Sequence, residues 1–162
     1  MGRIAETSWI APNAVVIGDI TLGEDSSVWY LSVVRADSDV IRIGDRTNIQ
    51  DGTIIHVDAG QPCTIGDEVS IGHRAVLHGC TIEDDALVGI GAIVPNGAVV
   101  GRGSVIAAGA VIPEGMTIAP RSLVVGVPGK VVGTVSAELS VRVESTWVHY
   151  ADLTRMQVRG RP

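Results

Sequence analysis

Aliphatic residues recur every six positions along most of this chain. From Ile82 they fall at Val88, Val94, Val100, Ile106, Ile112, Ile118 and Val124, and the same phase runs back through Ile65, Ile71 and Leu77. Val16, Leu22, Val28 and Val34 hold the period earlier, and Ile43, Ile49 and Ile55 resume it. Four places after the aliphatic position stands a mostly small residue: Ala86, Ala92, Ala98, Ser104, Ala110, Met116 and Ser122. This rhythm matches neither the 3.6-residue period of a helix nor the simple alternation of a half-buried strand. A fixed internal repeat points to a solenoid. The spacing predicts a short strand, a corner and another strand every six residues, so that three hexads close one triangular coil. Coils then stack at strand separation, about 4.8 Å. The aliphatic residue points inward and the small one clears the corner. One coil cannot bury its apolar face alone, so stability comes from its neighbours.

Two interruptions break the rhythm. Val34 to Ile43 carries three residues beyond a hexad, and Ile55 to Ile65 carries four, spent on Val57-Asp58-Ala59-Gly60-Gln61-Pro62. Both are expected to bulge outward as loops, which on a rigid scaffold are where chemistry concentrates. After Lys130 the period stops. Ser136 can cap a helix, and Leu139, Val143, Trp147, Tyr150 and Leu153 then recur at three- and four-residue steps. The pattern predicts one amphipathic helix from Ala137 to about Gln157, lying back along the solenoid with Trp147 and Tyr150 packed beneath it. The expected organisation is a single domain: an all-β solenoid over residues 1–135 and a C-terminal helix over 136–162.

Composition agrees. The chain has 162 residues and no Phe, while Val, Ile, Ala and Gly abound. A core of β-branched residues suits a narrow interior lined by extended chain. The net charge of −6, with no basic run, excludes ordinary nucleic-acid binding. No apolar stretch approaches the ~20 residues that cross a bilayer, and the N-terminus lacks signal-peptide character. A cytoplasmic protein is expected. Cys63 and Cys80 are too few for a disulfide framework and match no metal or redox spacing.

Candidate chemistry lies between Ile49 and Ile82, which holds three of the four histidines. His56 and His78 each follow the inward residue of the same side, one coil apart, so they should point outward and stack. Two ligands of one metal ion can be reached from such a pair. Two stacked histidines could equally hydrogen-bond without metal. Arg35 continues the ladder one coil earlier. His73 falls on the neighbouring side, towards a corner, with Gln50 and Asp51 one coil away on the same seam. Within one chain it is too far to complete a triad. A second copy in a threefold assembly could supply it.

The segments Arg35-Ala36-Asp37, Asn48-Ile49-Gln50-Asp51-Gly52, His56 and Ile71-Gly72-His73-Arg74-Ala75-Val76-Leu77-His78-Gly79-Cys80 resemble the γ-class carbonic anhydrase family. The resemblance implies a left-handed parallel β-helix of hexapeptide repeats, the exception to right-handed crossovers. It implies a homotrimer with zinc between subunits, held by His56 and His78 of one chain and His73 of the next. It implies reversible hydration of carbon dioxide to bicarbonate by a zinc-bound hydroxide. Gln50 matches a glutamine that hydrogen-bonds the hydroxide or the product. Arg35 and Asp37 match a salt-bridging pair at the interface, and Asp51 a carboxylate that helps fix the arginine; pairing across the interface alone would also account for these three. Imidazoles accept Fe2+ and Co2+ as readily as Zn2+. Two departures concern proton transfer: Ser38 and Ala59 stand where the family's archetype has acids, and Asp58 is the only acid of its loop. Trp147-Val148 takes the place of a tyrosine–valine pair, with Tyr150 one turn on.

Alternatives from other classes are a metal-dependent acyl-CoA thioesterase using the same site, and a non-catalytic trimeric scaffold stapled by metal. Acetyl transfer is disfavoured, since it usually needs a single general-base histidine.

Overall fold

The computed structural model describes residues 2–160. Parallel strands, most of them two or three residues long, alternate with corners and stack into a three-faced solenoid. On the first face Trp9, Ser27, Asn48, Ser70, Leu87 and Val105 stand in register, each beside its inward neighbour. The second face stacks Val33, Ile54, Val76 and Ile93, and the third Arg42, Thr64, Thr81, Val99 and Thr117. The inward residues form one core: Ile49, Ile71, Val88 and Ile106 from the first face, Val34, Ile55, Leu77 and Val94 from the second, Ile43, Ile65, Ile82 and Val100 from the third. All are buried, as are the corner residues Ala75, Ala86, Ala92, Ala98 and Ala110. A Cβ branch fills the space between rungs without spanning to a distant layer, which is why a core without Phe suffices.

Of the two insertions, only the second is a loop. Val57–Pro62 closes as a tight turn in which Gln61 N–H donates to Asp58 O at 2.9 Å. The first is instead absorbed into one 11-residue strand, Val33–Ile43, which rounds the corner between the second and third faces. Its neighbour Val15–Leu22 rounds the same corner and pairs with it, with a register shift where the extra residues lie. A paired neighbour satisfies the backbone of the inserted residues, so extension wins over looping. The two insertions touch: Gly60 N–H donates to Asp39 Oδ2 at 2.9 Å.

The outward residues give the three faces different characters. The third is dominated by threonine. The second presents Val15, Val33, Ile54, Val76, Ile93 and Val111, a continuous aliphatic ladder of which Val15, Ile54 and Ile93 are exposed. The first is covered by the helix α1 (Ala137–Arg159).

Ser136 caps α1, accepting from Leu139 N–H at 3.1 Å, with Glu138 in the first turn and Arg159 in the last, where each complements the helix dipole. The helix runs two residues past the Gln157 expected from spacing. Its start packs on Val105 and Leu123, and its end on Trp9, Ala11 and Trp29 through Tyr150 and Leu153. Before it, Lys130–Thr134 turns back antiparallel on Ser122–Val125, an element the sequence reading does not contain. It occupies the sheet edge at the end of the first face, where unpaired backbone would otherwise invite association. No helix is long and apolar enough to cross a membrane.

Candidate metal centre

The second face carries the site. His56 and His78 pair in register on adjacent strands, with Arg35 paired to His56 one rung before. Outward side chains on adjacent rungs bring the two imidazoles together, with ring centroids 4.9 Å apart and His56 Nδ1 2.9 Å from His78 Nε2. The aliphatic ladder flanks them, so the rings are only partly exposed.

Each outer nitrogen has a side-chain partner. His56 Nε2 lies 3.0 Å from Asp37 Oδ1, and that hydrogen bond, with Arg35 alongside, holds the Asp37 carboxyl below the usual carboxylate range. An ionised carboxylate only accepts, so His56 carries its hydrogen on Nε2. His78 Nδ1 lies 2.7 Å from Asn96 Oδ1, while Asn96 Nδ2 donates to Asp58 Oδ2 at 3.3 Å. The Asp58 contact turns the amide group of Asn96 towards the carboxylate and its oxygen towards the ring, so His78 carries its hydrogen on Nδ1. With a single hydrogen on each ring, both inner nitrogens, His56 Nδ1 and His78 Nε2, present lone pairs to each other. Two lone pairs at that distance repel unless a positive charge lies between them.

A divalent cation fits this donor set. Neutral imidazoles with their second nitrogens hydrogen-bonded are the form in which histidine ligates a metal. Among the described residues, His56, Asp58 and His78 offer ligand atoms all within 4.8 Å of one another. A tetrahedral ion with bonds of about 2.0–2.1 Å spreads two nitrogens slightly wider than they stand here.

The remaining expected residues lie elsewhere. His73 sits in the corner between the first and second faces, its Nδ1 3.0 Å from Asp51 Oδ2 one rung below, and it is not part of the His56 group. Gln50 is buried beside that corner, its Nε2 donating to Asn48 Oδ1 at 3.0 Å, and Asn48 Nδ2 donates to Ser70 Oγ at 2.9 Å. Tyr150 packs edge-on against Trp29 at 5.3 Å, and burial together with the Asp51 charge pushes its hydroxyl above the ordinary tyrosine range. Trp147 faces the opposite corner over Arg46, at 6.0 Å, in a cleft lined also by Glu68, Asp85 and Arg121. The two aromatics of α1 therefore serve different corners.

Asn96 and the contribution of Asp58 are absent from the sequence reading. Pro95-Asn96-Gly97 reads as turn chemistry. The available signal was the hexad that runs one residue short between Leu77 and Ile82. That shortening puts Gly79 at the corner with φ +51, where a Cβ would stand 2.3 Å from Asn96 Oδ1. Only a glycine leaves room for the asparagine to reach back to His78.

Residues 79–114 match the family model "Bacterial transferase hexapeptide (six repeats)". Over 151 residues the chain is 54% identical to a probable carbonic anhydrase of Methanocaldococcus jannaschii, covering 93% of this chain and 95% of that protein. It is 52% identical to the mitochondrial gamma carbonic anhydrase 2 of Arabidopsis thaliana over 90 residues, which are 52% of this chain and 32% of that longer protein. Among solved structures, a Bacillus cereus protein described as a candidate acetyltransferase superimposes with a TM-score of 0.96 at 35% identity, covering 99% of this chain and 93% of that one.

Proposed function

We propose, from the premise that this chain belongs to the γ-class carbonic anhydrase-like family of hexapeptide-repeat proteins, that it is a metal-dependent lyase interconverting carbon dioxide and bicarbonate. The observation that carries this reading is the convergence of two imidazole nitrogens, His56 Nδ1 and His78 Nε2, 2.9 Å apart on adjacent rungs. In the proposed assembly three copies pack through the aliphatic second face, and His73 of the adjoining copy completes the ligand set. The bare Val15–Val111 ladder beside the histidines supports such packing, since a monomer would leave it in water. Zn2+ is the expected ion, with Fe2+ or Co2+ as substitutes. When bound, it supplies the Lewis acidity that makes water a nucleophile near neutral pH.

The chain's own groups divide the remaining work. Asp37 keeps a hydrogen on His56 Nε2 and so keeps Nδ1 free to donate, while Arg35 neutralises Asp37. Asp51 orients His73 through Nδ1, leaving Nε2 available to a neighbour. Asn48 pins one hydrogen of the Gln50 amide, so the remaining donor and the acceptor oxygen are fixed in direction for a polar substrate at the seam. Asp58 places an exposed carboxylate oxygen 3.9 Å from His78 Nε2, on the side of the pair away from Asp37.

Stopped-flow carbon dioxide hydration by zinc- and cobalt-loaded protein tests the reading. Acceleration over buffer that vanishes in His78→Ala is expected. A fully metal-occupied protein with no rate above buffer overturns it. A second reading, acyl transfer to or from a thioester, is favoured by the Bacillus cereus neighbour. Release of free thiol from acyl-CoA compounds, lost in His78→Ala, would select it. A trimer that falls apart on chelation and shows neither activity would leave a metal-stapled scaffold.

A further inference from the structure

We propose that Asn96 is a positioning residue for the metal centre, setting which nitrogen of His78 is free to bind the ion; this rests on the proposed metal site. Imidazole has two neutral tautomers of similar energy, and a histidine without a second partner populates both. Only the Nδ1–H form leaves Nε2 with a lone pair facing His56. In the other form a hydrogen on Nε2 points at His56 Nδ1, the two rings satisfy each other, and the lone pairs are withdrawn from any cation.

Three contacts choose between these forms. Asn96 Oδ1 accepts from His78 Nδ1 at 2.7 Å. Asp58 Oδ2, accepting from Asn96 Nδ2 at 3.3 Å, prevents the amide from flipping to present its donor instead. Gly79 opens the space, since a Cβ there would collide with Asn96 Oδ1 at 2.3 Å. The backbone supports the same arrangement: Gly97 N–H donates to Gly79 O at 2.8 Å, fixing the corner that bears Asn96 against the corner that follows His78. Asn96 comes from the next coil, so the solenoid's stacking sets its reach. Asp58 belongs to the inserted loop, which Asp39 tethers at Gly60. The insertion thus acts on the metal through the asparagine as well as by placing a carboxylate near the ion.

The test compares Asn96→Leu, which keeps the size and removes the acceptor, with Asn96→Asp, which keeps an acceptor for Nδ1. Long-range 15N–1H spectra of the metal-free assembled protein read the His78 tautomer directly, and cobalt titration reads affinity. The expected result is an Nδ1–H His78 in the wild type and in Asn96→Asp, a tautomer mixture in Asn96→Leu, and cobalt affinity lowered roughly 10–100-fold in Asn96→Leu alone. An unchanged tautomer in Asn96→Leu, or equal loss of affinity in both variants, overturns the proposal. The two readings fail separately: a wild type that binds no cobalt removes the metal site, while the 15N spectra still show whether Asn96 sets the tautomer.

Discussion

Gly60 donates its backbone N–H to Asp39 Oδ2 at 2.9 Å, so the two insertions into the hexad rhythm hold each other beside the histidine pair. One is strand and the other loop, yet this contact makes them a single rim carrying Asp37, Asp39 and Asp58. Asp39→Ala should loosen the loop without unfolding the coil. One lost hydrogen bond of about 1 kcal/mol corresponds to a several-fold to tenfold faster local opening. Hydrogen exchange at residues 58–61 should therefore accelerate by about that factor while the global melting temperature hardly moves; a large drop in melting temperature would show the rim to be part of the core.

The inward ladder bears the stability. Ile55 is fully buried between Val34 and Leu77 on the second face. Ile55→Ala should destabilise by about 2–5 kcal/mol through lost burial and a residual cavity. Thr64→Ala, on the exposed third face, should stay within about 0.5 kcal/mol of wild type. Urea unfolding distinguishes them, and equal effects would contradict the inward–outward assignment.

The outward ladder of the second face should govern self-association. Ile54→Lys and Ile93→Lys place charges among Val33, Val76 and Val111 without touching the core. Light scattering should report a trimeric mass for wild type and a smaller one for the double variant, with the solenoid's circular dichroism retained. A wild-type monomer would remove the proposed interfacial ligand set.

Cys63 and Cys80 stand buried on adjacent rungs, and their mutual hydrogen bond, with burial, pushes the Cys80 thiol well above its ordinary pKa. The thiolate is the reactive form. Thiol reagents at pH 8 should therefore leave both unlabelled in the native protein and label both in urea, at a rate limited by unfolding. Prompt native labelling would contradict the burial.

Tyr150 supplies a pH dependence. Its folded-state pKa is raised by burial and by Asp51, so the unfolded chain releases its proton first as the pH climbs. The folded form is then penalised above the unfolded pKa of about 10. Stability should fall with pH through that region, and Tyr150→Phe should flatten the fall. A slope unchanged by the substitution would assign it to other groups.

Much of this molecule was legible beforehand because its repeat forces a geometry. With an aliphatic residue every six positions, Val34, Ile55 and Leu77 must share a face, and the residues after them, Arg35, His56 and His78, must stack outward. Periodicity determines direction and rung, so the solenoid, the ladder and the separation of His73 onto a corner could be counted from spacing. Ser136 was readable as a cap because its chemistry is local.

What spacing leaves open is how inserted residues are satisfied and which side chains reach across rungs. Whether the residues between Val34 and Ile43 loop out or extend depends on a partner strand, Val15–Leu22, that also rounds the corner. The direction of the helix aromatics, Tyr150 towards Asp51 and Trp147 towards Arg46, depends on how α1 docks. Asn96, Gly79 and Asp58 belong to three different turns, each ordinary alone. They become one arrangement around His78 only when the coils stack, because a hydrogen bond needs distances of about 3 Å and a repeat specifies only which rung and which face a residue occupies.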